Sequence, residues 1–291
     1  MKKITFLVAA AAVIVLMLAY TSGGRLYRKI TAARAGAETN AQRMMAGVTP
    51  DNSARVEKFW ARAQKEYYKS PEELKAQNAR ELRKGELYAT LLRGNPRIKA
   101  VALTFDDGPH PEYTPKLLAI LKKYKVRATF FVIGKMVEQY PDMVRAEDAD
   151  GNLVANHTYH HVNLNRVPLD EIALEWKACN AAVKSVIRKD MKYCRPPGGD
   201  YDSDVITAAA DAGLITVLWT DDPGDYASPG EKLIDQRVLN RVSDGGIILL
   251  HDGVQQTVDV LPQIIESLQE RGFKFQTADE MYEGLHSPRG Y

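Results

Sequence analysis

Residues 97–285 predict an α/β domain, a distorted (β/α) barrel with about seven parallel strands, preceded by a helical N-terminal extension. Two observations carry this reading. Short β-branched or aromatic runs alternate with helix-length segments, and the chemically unusual polar residues fall just after the runs rather than inside them. With 291 residues, 45% hydrophobic and 26% charged, the chain is long enough to bury such a core and still carry an extension.

The chain opens with Met1-Lys2-Lys3 and an uncharged run from Ile4 to Tyr20, rich in Ala, Val, Leu and Ile. Its length suits a short membrane-spanning helix or a long signal core. Only Ala19-Tyr20-Thr21 stands where a small-residue cleavage site belongs, and no cysteine is near for a lipid anchor. Residues 1–24 are therefore read as an uncleaved N-terminal anchor in preference to a cleaved signal, with the remainder outside the membrane.

Residues 25–96 form the helical extension. Val56, Phe59, Trp60, Ala63 and Tyr67 make an apolar stripe at helical spacing, with Lys58, Arg62 and Lys65 on the other face. Ser70-Pro71-Glu72-Glu73 supplies an N-cap, a proline at the first helical position and a glutamate three residues on, and Gly94 and Pro96 are expected to end that helix. Gly47 to Ser53 is the linker candidate. Between Arg25 and Arg93 there are 15 Lys/Arg against 8 Asp/Glu, although the whole chain carries only +2. This basic stretch suits either a solvated helix face or anionic lipid or wall polymer, and the overall balance argues against nucleic acid.

The seven strand-like runs are 100–105, 127–133, 153–156, 192–195, 215–219, 246–250 and 273–277, separated by helical segments near 114–124, 136–147, 169–187, 202–212, 230–242 and 258–271. Residues 286–291 are a tail. Asp106 and Asp107 follow the first run, His157 and His161 the third, Arg195 to Gly199 the fourth, Asp221, Asp222 and Asp225 the fifth, and His251 and Asp252 the sixth. In a barrel of parallel strands these ends converge over one cavity. Adjacent carboxylates such as Asp106-Asp107 repel and need a proton or a cation. His157 and His161 share a face if the segment is helical, or His157 and His160 do, and with one carboxylate they make an open ligand set for a divalent metal. Cys179 and Cys194 permit a single disulfide outside the cytoplasm, the other reading being two small buried side chains.

Thr104-Phe105-Asp106-Asp107-Gly108-Pro109, His157-Thr158-x-x-His161, Arg195-Pro196-Pro197, Trp219 with Asp222 and Asp225, and Leu249-Leu250-His251-Asp252 stand in the order and approximate spacing of the motifs of the NodB-homology polysaccharide deacetylases, carbohydrate esterase family 4, which residues 97–280 or so resemble. The resemblance implies that Asp107, His157 and His161 bind one divalent metal, zinc first, with cobalt, nickel or manganese as alternatives. It further implies that Asp106 is the general base, His251 the acid that protonates the leaving amine, Asp225 its orienting partner, and Arg195 the partner of Asp106. The backbone near Gly198 would meet the oxyanion, while Trp219 and Leu249 would line an acetyl pocket or serve as plain core. Asp222 and Asp252 read as turn or supporting acids, and His110 and His160 as neighbours of the site.

Gly198 and Tyr226 depart from that pattern, because an aromatic residue often follows Arg-Pro-Pro and a tryptophan often follows the aspartate. Groove shape and sugar identity depend on both positions. The implied activity is metal-dependent removal of N-acetyl groups from a glycan, peptidoglycan first. An O-acetyl esterase or chitooligosaccharide deacetylase on the same scaffold, and a non-catalytic glycan-binding envelope protein, are the alternatives.

Overall fold

Apolar runs buried on both faces become parallel strands, because helical crossovers cover each side of the sheet they form. The computed structural model describes residues 68–86 and 90–286, all within a unit spanning residues 65–291. The apolar run Ile4 to Tyr20, the linker Gly47 to Ser53 and the stripe from Val56 to Tyr67 lie outside the described residues. Among the described residues no helix is long and apolar enough to cross a membrane.

The described chain starts with helix α1 (Pro71–Lys84), capped as its sequence predicts: Ser70 Oγ accepts from Glu73 N, and Glu73 Oε2 accepts from Ser70 N at 2.8 Å. The helix ends earlier than Gly94. Gly85 adopts φ 78° and its N–H returns to the last turn, so the glycine nearest the end of the stripe closes it. After this come strand β1 (Thr90–Leu91), strand β2 (Ala100–Gly108), helix α2 (Tyr113–Tyr124) and strand β3 (Thr129–Val132). The segment read as one helix over 136–147 is two, α3 (Gly134–Gln139) and α4 (Pro141–Ala149). Pro141 lacks the N–H a continuing helix needs and opens the second helix instead. There follow β4 (Leu153–Asn156), α5 (Leu169–Ile187), β5 (Tyr193–Cys194), α6 (Ser203–Asp211), β6 (Ile215–Val217), α7 (Glu231–Arg241), β7 (Gly246–His251), α8 (Gln255–Glu270), β8 (Lys274–Phe275) and α9 (Ala278–His286).

All seven expected runs contain strands, and β1 adds an eighth. Every pairing is parallel, in the order β1-β6-β5-β4-β3-β2-β7, with β8 also on β2. The sheet curls, since the chain leaving β6 meets β7: Asp221 bridges Ile248, and Leu249 N donates to Asp221 O at 2.9 Å. The core is continuous. Val101, Leu103, Phe105, Phe130, Phe131, Ile247 and Leu250 of the sheet are fully buried, as are Leu261, Ile264, Ile265 and Leu268 of α8.

The predicted disulfide is absent. Cys179 and Cys194 are both free and buried; Cys179 Sγ donates to Val132 O at 3.3 Å, and Cys194 Sγ lies 3.7 Å from Thr216 Oγ1. Burial pushes the Cys179 thiol far up and the Cys194 thiol up to about 12, so neither is a ready nucleophile.

Glu147 on α4 is a local conflict in the core. It is fully buried, neither carboxyl oxygen has a hydrogen-bond partner, and burial, assisted by the charge of Asp252, raises its pKa well above the usual range. A buried polar group without a partner costs about 1–3 kcal/mol. Glu147→Met keeps the shape and removes that cost, so its melting temperature at pH 8 is expected ~2–6 °C above wild type. A raised carboxyl pKa means that the folded state holds a proton the unfolded state has lost, and stability falls as pH rises above 4.5. The advantage of the variant should therefore shrink on acidification, which melting curves from pH 4 to 8 will read.

Candidate metal and acid–base site

Register places the first functional side chains. Along β2 and β7, Thr104 pairs with Leu249 and Asp106 with His251, so the four share one face of the sheet at the carboxyl ends of the strands. Asp107, next in the chain, takes φ 74°, a left-handed conformation uncommon outside glycine. Two successive carboxylates thereby escape the alternation that would send one of them outward.

The histidines reach the site by a route other than a helix. His157 leaves β4, and Thr158 (φ 67°) and His161 (φ 59°) fold the following segment into left-handed turns. Thr158 N donates to Asn156 Oδ1 at 2.8 Å and His161 N to Thr158 Oγ1 at 2.9 Å, which hold the turn in place. The i, i+4 spacing thus brings the two rings within 4.8 Å of one another without any helical turn. His160 points elsewhere, with Nδ1 2.7 Å from Glu175 Oε1 on α5. His110 accepts the Glu112 N–H at the entrance to α2.

Asp107, His157 and His161 each bring one donor atom into a cluster whose members all lie within 4.8 Å of one another. Asp107 Oδ1 is 2.9 Å from His161 Nε2 and 3.4 Å from His157 Nε2, yet that buried oxygen makes no hydrogen bond. Such an oxygen, facing two imidazole nitrogens across a shared space, is what a cation would satisfy. His157 Nδ1 lies 2.8 Å from Arg195 O, so a proton on Nδ1 donates there and leaves the Nε2 lone pair toward the cluster. Burial pushes the Asp107 carboxyl up, but the His161 charge and the two histidine contacts outweigh it and hold the group well below the usual range. It stays ionised, as a ligand must. The residues present fit a divalent metal.

Asp106 stands beside this cluster, with Oδ2 3.6 Å from His157 Nε2 and Oδ1 accepting from Arg195 Nη1 at 2.7 Å. Arg195 is completely buried. It also donates to Thr104 Oγ1 at 2.9 Å, Val217 O at 3.1 Å and Leu218 O at 3.2 Å, while its guanidinium covers the Phe131 ring at 4.1 Å. Asp225 is held by the Tyr226 N–H and Thr257 hydroxyl and receives His251 Nδ1 at 2.7 Å and His251 N at 2.8 Å. His251 Nε2, on the far side of the ring, has no hydrogen-bond partner. Burial pulls the imidazolium down, yet the charge and hydrogen bond of Asp225, with Asp107 and Asp106 behind them, push it up to about 10. The ring is thus favoured in its protonated form at neutral pH.

The family-model description "Polysaccharide deacetylase" matches residues 93–217. A chitooligosaccharide deacetylase from Bradyrhizobium sp. (strain ANU 289) is 38% identical over 199 residues, covering 63% of this chain and 91% of the relative. The chain belongs to the polysaccharide deacetylases, the NodB-homology family CE4. Among solved structures, a peptidoglycan N-acetylglucosamine deacetylase crystallised with an N-oxidanyl benzamide is 34% identical with a TM-score of 0.66, over 69% of this chain and 95% of that one. A CE4 pseudoenzyme from Bacillus anthracis is 30% identical with a TM-score of 0.64, over 68% and 70%. Family membership makes this polysaccharide deacetylase a hydrolase acting on N-acetyl amide bonds of polysaccharides.

The remaining expected residues of the deacetylase divide in two. Trp219 and Leu249 are 1% and 0% exposed, and Trp219 packs so closely on Gly199 that an added Cβ would meet its ring at 2.5 Å, which is core behaviour. Gly198 lies on the loop beneath the cluster at φ 64° and accepts the Lys69 N–H at 3.0 Å. Asp222 Oδ1 accepts from Gly224 N at 2.8 Å, as a turn-capping acid does. Asp252 Oδ2 accepts from the Thr114 hydroxyl, and burial pushes its pKa up to about 7. Thr104, Thr257 and Tyr68 were not assigned from sequence. Thr104 lies inside a recognisable motif, whereas nothing local marks the other two.

The pairing of Asp225 with His251 makes a prediction about pH. Asn at 225 keeps one hydrogen bond and loses the charge, so the His251 pKa falls. On the expectation that protonated His251 is the catalytic donor, activity is lost as pH rises through that pKa, and a lower pKa moves the alkaline limb down. Asp225→Asn is expected to shift this limb of the kcat/KM profile by more than ~1 pH unit.

Proposed function

We propose that this chain is a metal-dependent N-deacetylase of an N-acetylated glycan, peptidoglycan first, working at the cluster of Asp107, His157 and His161. The observation that carries the proposal is that two acid–base groups stand beside that cluster on register-paired positions of β2 and β7, Asp106 with Oδ2 3.6 Å from His157 and His251 backed by Asp225 at 2.7 Å. A glycan-binding module has no need of a buried acid–base pair around a ligand set.

A divalent cation held by these three residues, zinc first, would lower the pKa of a water and polarise the acetamide carbonyl. Asp106 Oδ2, free of Arg195, accepts the proton of the attacking water, and the Arg195 contact fixes the carboxylate in that pose. The Gly198 N–H would meet the developing oxyanion, since the Gly199 and Asp200 N–H groups of that loop already donate to Pro196 O and Pro197 O. His251 Nε2 then donates to the departing nitrogen, which leaves poorly without a proton. The products are acetate and a free amine on the sugar.

The apolar run Ile4 to Tyr20 supports an N-terminal anchor, with the extension spanning residues 25–96 and the catalytic domain 97–285; Arg25, Arg28 and Lys29 weaken the charge rule for orientation, so the catalytic domain is assigned to the wall side on the chemistry of its site. Fractionation of the full chain tests this, since recovery in the cytosol would end it. The substrate reading is tested by product analysis on peptidoglycan, N-acetylglucosamine oligomers and acetylated xylan. New amines on the first two are expected, and de-esterification of xylan alone would replace this reading with the esterase.

A further inference from the structure

We propose that Tyr68, which precedes the first strand of the sheet by some twenty residues, is a substrate-facing, specificity-determining residue of the cleft, providing an aromatic surface against which a pyranose ring of the glycan stacks.

Tyr68 lies just ahead of the cap of α1, and its ring is stacked on Tyr226 with centroids 4.2 Å apart and planes inclined by 22°. Both rings meet His251 edge-on, at 5.5 Å for Tyr68 and 5.3 Å for Tyr226. A two-ring aromatic platform therefore adjoins the proton donor. Tyr68 is half-buried and Tyr226 is 42% exposed, so the pair keeps surface open to solvent.

The main chain that presents Tyr68 is fixed rather than draped. Lys69 N donates to Gly198 O at 3.0 Å, Lys69 Nζ lies 3.0 Å from Asp200 Oδ1 and 2.8 Å from Gln77 Oε1, and Ser70 caps the helix that follows. These anchors join the segment to the loop carrying Gly198, the same loop whose carbonyl at Arg195 orients His157. Gly198 has no side chain to face the sugar, and the Lys69 N–H bond to Gly198 O ties the segment bearing the Tyr68 ring to that loop.

Sugar rings present C–H faces that pack on aromatic rings, and a platform beside the acid would hold the sugar whose nitrogen the acid protonates. Contact of this kind acts in substrate binding, so it shows chiefly in KM. The inference rests on the deacetylase reading above, and its test is built so that the two fail separately.

With the full-length protein, Tyr68→Ala is expected to raise KM for the N-acetylglucosamine tetramer about five- to tenfold with a smaller change in kcat, while Tyr68→Phe stays within about twofold. Calorimetric titration of the same tetramer into wild type and the two variants, checked by melting curves, should give the same order in Kd. Unchanged KM and Kd for Tyr68→Ala would make the residue purely structural, and a fall in KM would make it an obstruction; either overturns the proposal. If wild type releases no acetate yet binds the tetramer more tightly than Tyr68→Ala, the sugar platform stands and the deacetylase reading falls. If wild type neither releases acetate nor binds, both fall.

Discussion

Asp106→Asn is expected to lower acetate release about 10²–10⁴-fold while leaving metal binding in place, because the change removes only a proton acceptor. The two adjacent acids have separate surroundings. Asp107 turns into the cluster through its left-handed backbone, and Asp106 stays on the regular strand, one oxygen on Arg195 and the other toward the cluster. An amide at 106 is nearly isosteric and can keep one contact with Arg195, but it cannot take a proton from water. Steady-state rates, together with bound metal per chain by elemental analysis, separate the roles. Loss of metal along with activity would mean that Asp106 is a ligand and not a base.

Arg195→Met is expected to cost about 3–5 kcal/mol of stability, because it leaves the buried Asp106 carboxylate without its cation. For a domain of this size that corresponds to a melting temperature lower by ~6–20 °C. The estimate follows from the surroundings. Arg195 is wholly buried, donates to Asp106, Thr104 and two backbone carbonyls at the end of β6, and stacks on Phe131. Methionine can fill much of the space but satisfies none of those acceptors. The double variant Asp106→Asn/Arg195→Met removes both charges and should recover part of the loss, which a double-mutant cycle will measure. No recovery would mean that Arg195 acts as a structural brace through the carbonyls alone.

Much of the architecture was legible because the strands are buried on both faces. β2 reads Ala100-Val101-Ala102-Leu103-Thr104-Phe105 without a charged residue, and its end is marked by the acids themselves. The helix Leu169–Ile187 matches its expected bounds, since Pro168 starts it and apolar positions such as Ile172, Trp176, Cys179 and Val183 recur at helical spacing throughout. β1 was not legible: two residues carry no period, and only the pairing of Thr90 with Thr216 and Leu91 with Val217 makes them a strand. The break at Tyr140-Pro141 was missed because the apolar positions on either side continue in a helix-like pattern.

The site was legible in its residue types and less so in its geometry. Asp106, Asp107, His157, His161, Arg195, Asp225 and His251 meet as their positions after successive strands imply. The closeness of His157 and His161, however, comes from left-handed turns at Thr158 and His161 and not from a helix face. Tyr68 and Thr257 were invisible for a different reason. Their partners lie far away in sequence, and a single tyrosine or threonine next to a helix start has many commoner uses. The cysteines show the limit of counting, because an even number in a compartment expected to permit it allowed a disulfide, while the fold buries Cys179 of α5 against Val132 O and Cys194 of β5 beside Thr216.

The most direct test of the central claim is acetate release from peptidoglycan and from the N-acetylglucosamine tetramer by protein stripped with a chelator, before and after titration with zinc, cobalt, nickel or manganese. Activity that vanishes on stripping, returns with one equivalent of metal per chain, and fails to return in His161→Ala is the predicted result. Full activity in the stripped protein, or restoration that does not depend on His161, would contradict it.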